Sequence, residues 1–258
     1  MRKLACTGIL TMMAIALASS AMADVTDINS VKIQERRFND FPGSTLTTTN
    51  NFPAQVQFVE SDYGAGGFAN QHVARFSSDS GATDRSFLNS EGFDISFDVL
   101  LDAGSTAPRK EAGFRMDSFI GGEGFFFVTS DGEVAAFGGP FPFFSFGAGA
   151  YSPGTTASMR MIYTPDDDPD PLDGDAATME YIYNGTSSGA LDFGNTENGM
   201  IDGSDLGVYT QIAVDNGNPG DFVVADFTNF GIAVPEPSAL ILLGLGGLIA
   251  LRRRATRG

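Results

Sequence analysis

Phe93-Asp94-Ile95-Ser96-Phe97-Asp98-Val99-Leu100-Leu101 sets Phe93, Ile95, Phe97, Val99 and Leu101 at every second position, with Asp94, Ser96 and Asp98 between them. Successive side chains of an extended chain point to opposite faces, so this period of two predicts a strand with one face in a core and the other in water. Shorter runs of the same kind occur at Gln55 to Glu60, His72 to Ser77, Glu111 to Phe119, Gly124 to Val128 and Glu133 to Phe137. Others follow at Ser158 to Thr164, Thr178 to Tyr183, Leu206 to Val214 and Phe222 to Ile232. Glycine, proline, Asn or Asp punctuates almost every gap, and Ser130-Asp131-Gly132-Glu133 carries the Asp-Gly pair that tolerates positive φ in a tight hairpin.

No segment between the chain ends carries a helical stripe with caps. About ten short antiparallel strands predict an all-β fold, a β-sandwich or jelly roll. The chain has 258 residues, 42% of them hydrophobic and 11% aromatic, enough to bury a large core. Its 32 glycines and 12 prolines supply the turns such a fold needs.

The net charge is -17; removing +2 for Arg2 and Lys3 and +3 for the tail (Arg252, Arg253, Arg254 and Arg257 against Glu236) leaves -22 on residues 24 to 234. That charge repels phosphate backbones and argues against nucleic acid as a partner. The only cysteine, Cys6, lies near the start, so the rest of the chain has neither a disulfide nor a thiol nucleophile.

The start reads as a secretory leader: Arg2 and Lys3, then an uncharged apolar run from Leu4 to Leu17, then Ala21-Met22-Ala23 with its small residues at the subsites of signal peptidase. Cleavage is expected before Asp24. At the other end Val234-Pro235-Glu236-Pro237-Ser238 precedes an apolar or glycine stretch from Ala239 to Leu251 and the cluster Arg252-Arg253-Arg254. The two prolines hold an extended segment that a peptidase cleft can grip. The arginines keep the end of the tail cytoplasmic. Those 13 residues would make about 20 Å of helix against a hydrocarbon core of about 30 Å, which suits transient recognition better than lasting anchorage. The ordinary alternative is a C-terminal anchor with snorkelling arginines.

In these residues, Pro-Glu-Pro, apolar helix and basic cluster in order, the tail resembles the PEP-CTERM sorting signal. The resemblance implies processing by an exosortase, a membrane transpeptidase-like enzyme, and delivery to the surface or extracellular matrix of a Gram-negative bacterium. The domains expected are residues 1–23 as leader, 24–233 as a sandwich and 234–258 as sorting signal, with a signal helix before the sandwich and a short transmembrane helix after it. The strand pattern of the body is similar to that of concanavalin A-like lectin and glucanase sandwiches.

Most catalytic chemistries find no support. His72 is the only histidine, which argues against a His-rich metal site. On a strand between apolar neighbours it reads as structural or surface. Gly185-Thr186-Ser187-Ser188-Gly189 matches a nucleophile elbow by letters, but no helix follows and His72 lies upstream, so it reads as a turn. The Glu-x-Asp-x-x-Glu spacing of the glucanases does not occur. Asp166-Asp167-Asp168-Pro169-Asp170-Pro171-Leu172-Asp173-Gly174-Asp175 gathers hard oxygen ligands that suit Ca²⁺, with Asp166, Asp167, Asp168, Asp170, Asp173 and Asp175 as ligands and a solvated acidic loop as the competing reading. Phe125 to Phe127 and Phe141, Phe143, Phe144 and Phe146 are expected mostly to fill the core, and any left on a loop would form an apolar patch.

Together these readings predict a non-enzymatic, surface-sorted sandwich that binds matrix polysaccharide or a surface partner. A degenerate polysaccharide hydrolase or lyase, or a purely structural matrix component, are the alternatives.

Overall fold

In the computed structural model the alternation at Phe93 becomes the centre of one of two packed sheets. The structure describes residues 23–24, 26–64, 67–118, 122–139, 141–166, 176–193, 199–200, 202–213 and 220–233. In chain order the strands are β1 (Ala23–Asp24), β2 (Ser30–Asn39), β3 (Thr45–Asn51), β4 (Gln55–Ser61), β5 (Ala69–Ser77), β6 (Ser86–Phe87), β7 (Glu91–Ala103) and β8 (Lys110–Ser118). They continue as β9 (Gly122–Thr129), β10 (Val134–Phe137), β11 (Phe144–Gly147), β12 (Thr156–Thr164), β13 (Thr178–Tyr183), β14 (Thr186–Asp192), β15 (Ser204–Ala213) and β16 (Phe222–Ala233).

The first sheet has the order β14-β13-β12-β7-β16-β4-β3, and the second β11-β10-β9-β8-β15-β5-β2, with β6 beside β15. Among the described residues the fold is all strand, a two-sheet antiparallel sandwich, with one exception: β1 runs parallel to β7. The ten periodic runs correspond to β4, β5, β7 to β10, β12, β13, β15 and β16. The other six strands are additions. The expected leader and tail helices lie outside the described residues, and among those described no helix is long and apolar enough to cross a membrane.

Phe93, Ile95, Phe97, Val99 and Leu101 are buried between the sheets, as their spacing demands. Phe97 meets Phe114 of the opposite sheet with ring centroids 4.4 Å apart, and Phe126 meets Tyr181 at 5.0 Å. Without a disulfide, such inter-sheet ring contacts carry the cohesion, each buried ring contributing about 2 kcal/mol. Of the expected core aromatics Phe126 and Phe141 are buried inside, whereas Phe143 stands exposed beside β11.

At one end of the sandwich Lys110 and Asp221, both fully buried, pair at 2.9 Å, and the Ser105 hydroxyl bonds Asp221. This ties the start of β8 in one sheet to the start of β16 in the other. The Asp-Gly hairpin forms between β9 and β10 as expected, with Gly132 at φ 94°. Residues 184 and 185 turn β13 into β14 with φ 46° and 78°, so Gly185 to Gly189 is a hairpin turn running into a strand.

Candidate functional site

The site grows from an irregularity in β2. Gln34 pairs with Val73 and Phe38 with Gln71, so Glu35, Arg36 and Arg37 stand opposite the single residue His72. Such a bulge re-aims side chains that strict alternation would place elsewhere. Arg36 takes φ 53°, and its backbone N–H donates to His72 Nδ1 at 3.0 Å. Its guanidinium turns inward to the Phe41 carbonyl (2.9 Å), the Ser44 hydroxyl (2.8 Å) and Glu60 Oε1 (3.2 Å). Arg37 turns outward, to Asp117 Oδ2 at 3.1 Å and Glu123 Oε1 at 3.0 Å.

Inside, Glu60 has no exposed side-chain surface and accepts from Ser44 Oγ (2.5 Å), Asn70 Nδ2 (2.6 Å) and His72 Nε2 (3.0 Å). Because His72 Nδ1 accepts from Arg36, the ring proton sits on Nε2 and points at the carboxylate. Burial alone would push Glu60 up, but the hydrogen bonds from His72 and Ser44 outweigh it and hold the carboxyl below its ordinary range. His72 is thus a core residue stacked on Phe58, in line with its structural reading.

The outer face of the second sheet is crowded with polar groups. Arg115, fully buried there, donates to Gln71 Oε1 at 2.8 Å, to both oxygens of Asp117 at 3.1 and 2.7 Å, and to Glu123. Its guanidinium lies 5.3 Å from the Phe125 ring centre. Burial would raise Asp117, yet the hydrogen bond and charge of Arg115, the hydrogen bond from Arg75 and the charge of Arg37 hold it down. Gln71 Nε2 donates to Gln211 Oε1 at 3.0 Å. Beside them Val73, Phe127, Ala135 and Tyr209 form a second, smaller apolar cluster on this face. Tyr209 donates to Glu111 Oε2 at 3.1 Å. Burial, with that neighbouring carboxylate, pushes the Tyr209 phenol well above its ordinary value.

Between the bulge and these groups opens a cleft of about 420 Å³ lined by Arg37, Phe38, Phe68, Ala69, Gln71, Glu123 and Gln211. Phe38 and Phe68 are 49% and 66% exposed. Exposed rings beside amides, a guanidinium and a carboxylate match what sugars require, since a pyranose offers an apolar C–H face and a rim of hydroxyls.

Sequence reasoning picked out none of these residues as a site. The one available signal was polar or charged residues set among apolar ones, Gln71 and Arg115, and it does not say which face they share. The candidate calcium ligands Asp167, Asp168, Asp170, Asp173 and Asp175 lie outside the described residues, as do Ala21, the sorting residues Val234 to Ser238 and Arg252 to Arg254. Among the described residues no group of three or more His, Cys, Asp or Glu side chains is placed to hold a metal ion.

Fold and tail together define an exported, surface-sorted protein with a jelly-roll-like sandwich body. Residues 233–255 match the PEP-CTERM protein-sorting motif, which implies export and processing by exosortase. No curated protein matches the chain in sequence. Among solved structures the body is similar to the alginate lyase AlgAT5 of polysaccharide lyase family 7 (13% identity, 72% of this chain and 80% of that one, TM-score 0.49). It is also similar to an alginate lyase from Corynebacterium sp. (10%, 79% and 93%, 0.48) and to an endo-β-1,4-glucuronan lyase from the fungus Trichoderma reesei (8%, 80% and 96%, 0.46). At these identities the likeness concerns the fold alone. The expectation that the chain is not an enzyme is corrected to this extent: solved sandwiches of similar fold include polysaccharide lyases. The missing glutamate spacing speaks to one glucanase chemistry alone.

Proposed function

We propose that this exported protein takes a polysaccharide chain across the outer face of its second sheet, in the extracellular matrix of a Gram-negative bacterium. The observation that carries this reading is the pair of exposed rings, Phe38 and Phe68, flanking Gln71, Gln211, Arg37 and Glu123 in one cleft. The rings stack on sugar C–H faces while the amides and charges bond hydroxyls. Arg37 and Arg115 already face carboxylates, and the body carries -22 by the sum above, so a neutral polymer meets less repulsion than a polyanion.

A second reading is cleavage of a uronate polymer by β-elimination. Its observation is the set Arg37, Arg115 and Glu123 in and beneath the cleft: guanidinium groups neutralise a uronate carboxylate, and a carboxylate beside them can take the neighbouring proton. The substrate would have to displace Glu123 from Arg37.

The experiment is binding and chain-cleavage assays on a panel of neutral and uronate polysaccharides, with residues 24–233 and the variants Phe68→Ala and Gln71→Ala. Binding of a neutral polymer, lost in both variants, is expected. New unsaturated chain ends from a uronate polymer would favour the second reading, and binding indifferent to both variants would remove this cleft.

A further inference from the structure

Both ends of the described domain attach to one end of one strand. On β7, Ala23 and Asp24 pair with Glu91 and Gly92, while Ala233 pairs with Asp94. The partners of Asp24 and Ala233 are two residues apart, about 7 Å along the strand. The bond expected to be cut by signal peptidase and the first residue of the matched sorting motif therefore leave the sandwich side by side.

The rest of the sandwich gives this end a definite place. Ser204 of β15 pairs with Phe87, and Tyr163 of β12 with Phe93, so the starts of β7 and β15 and the end of β12 share it. The Phe68–Ala69 rim of the cleft lies toward the other end, since Ala69 pairs with Ala213 at the far end of β15 and Gln71 with Gln211 beside it, whereas Glu123 on its opposite side pairs with Asp117, the partner of Asp205 near the start of β15. The Gly132–Tyr151 corner, joined by a backbone bond of 3.0 Å, is also at the far end.

The tether is short. Only Val234 to Ser238 separate Ala233 from the apolar stretch starting at Ala239, a span of at most about 17 Å when extended. β7 alone has 13 residues, about 43 Å along the sandwich. A tether less than half the body's length holds the exit end near the bilayer and leaves the far end out of reach.

We propose that the end of the sandwich carrying Gly92 and Asp94 faces the lipid bilayer in the full-length precursor, so that leader and tail are cut at one membrane-proximal end while the Phe68 rim of the cleft points away. Nothing in this depends on what the cleft binds. The domain can fold once, stay folded through both cuts, and keep the Phe68 rim of its cleft open to the outside.

Removal of Cys6 leaves a cysteine-free background. The full-length chain with Cys6→Ser and a single further cysteine, Ser90→Cys at the exit end, Phe68→Cys at the rim or Ser152→Cys at the far end, is labelled with a fluorophore. It is then reconstituted into phosphatidylethanolamine–phosphatidylglycerol vesicles carrying nitroxide-labelled headgroups. The Ser90→Cys label should be quenched several-fold more than the other two. Equal quenching, or stronger quenching at Phe68→Cys or Ser152→Cys, overturns the proposal. A chain that does not float with the vesicles overturns it as well, because the tail then holds nothing at a bilayer.

Discussion

Arg36 and Arg37 are neighbours in the chain and serve opposite faces of a sheet, Arg36 closing on Glu60 in the core at 3.2 Å and Arg37 on Glu123 in the cleft at 3.0 Å. Their replacement should separate stability from binding. Arg36→Ala leaves a buried carboxylate short of its ion pair and should cost about 2–3 kcal/mol, several degrees of melting temperature. Arg37→Ala loses only half-exposed pairs, worth about 1 kcal/mol or less, yet should weaken polysaccharide binding. Equal thermal shifts for the two variants would contradict the division of labour.

Glu111 should make the fold more stable in acid than its surroundings suggest. Burial raises its carboxyl, and the Tyr209 hydrogen bond only partly opposes this. A group whose folded value is raised contributes its full stability below the unfolded pKa, about 4.3, and loses it as pH climbs through the folded value. Glu111→Gln keeps an acceptor for Tyr209, so it should stabilise the protein at pH 7 and give no advantage at pH 4. Urea titrations at the two pH values check this, and a gain independent of pH would be inconsistent with it.

Gly113 leaves room where the smaller outer-face cluster crowds the sheet. A methyl there would run into the Phe126 carbonyl, whereas Gly64 has nothing within 4 Å. Gly113→Ala should cost about 1–3 kcal/mol and Gly64→Ala less than about 0.5 kcal/mol. Chemical denaturation of both variants compares them directly.

Calcium should stabilise the domain through the acidic segment from Asp166 to Asp175. Crowded carboxylates repel each other, and an ion bound to the native state at 100 times its dissociation constant adds about 2.7 kcal/mol. Melts of residues 24–233 in EDTA, Ca²⁺ and Mg²⁺ should show a calcium shift that disappears when Asp167, Asp168 and Asp170 become Asn. A shift no larger than that of Mg²⁺ at equal ionic strength is mere screening and would remove the segment as a site.

Processing should leave Asp24 as the mature N-terminus and should fail when Pro235 and Pro237 become Ala or when Arg252 to Arg254 become Gln. The variants should accumulate at full length in the membrane fraction. Mass spectrometry and fractionation test this, and normal maturation of either would argue against recognition of the tail.

The sequence by itself determined the strand character of the body and the sorting motif of the tail, because those signals are local. A period of two along Phe93 to Leu101 and a Pro-Glu-Pro tail each lie within a few dozen consecutive residues. Strands with weak local signals escaped: β3 reads Thr-Leu-Thr-Thr-Thr-Asn-Asn and β14 is mostly exposed, because edge strands need not bury a full face. The cleft was decided only by tertiary structure. Residues 37, 71, 115, 123 and 211 come from five strands, and what unites them is the cross-strand register together with a bulge that turns two adjacent arginines apart. Register is a property of paired strands, set by which inner faces pack together, so the pattern along any single strand does not contain it.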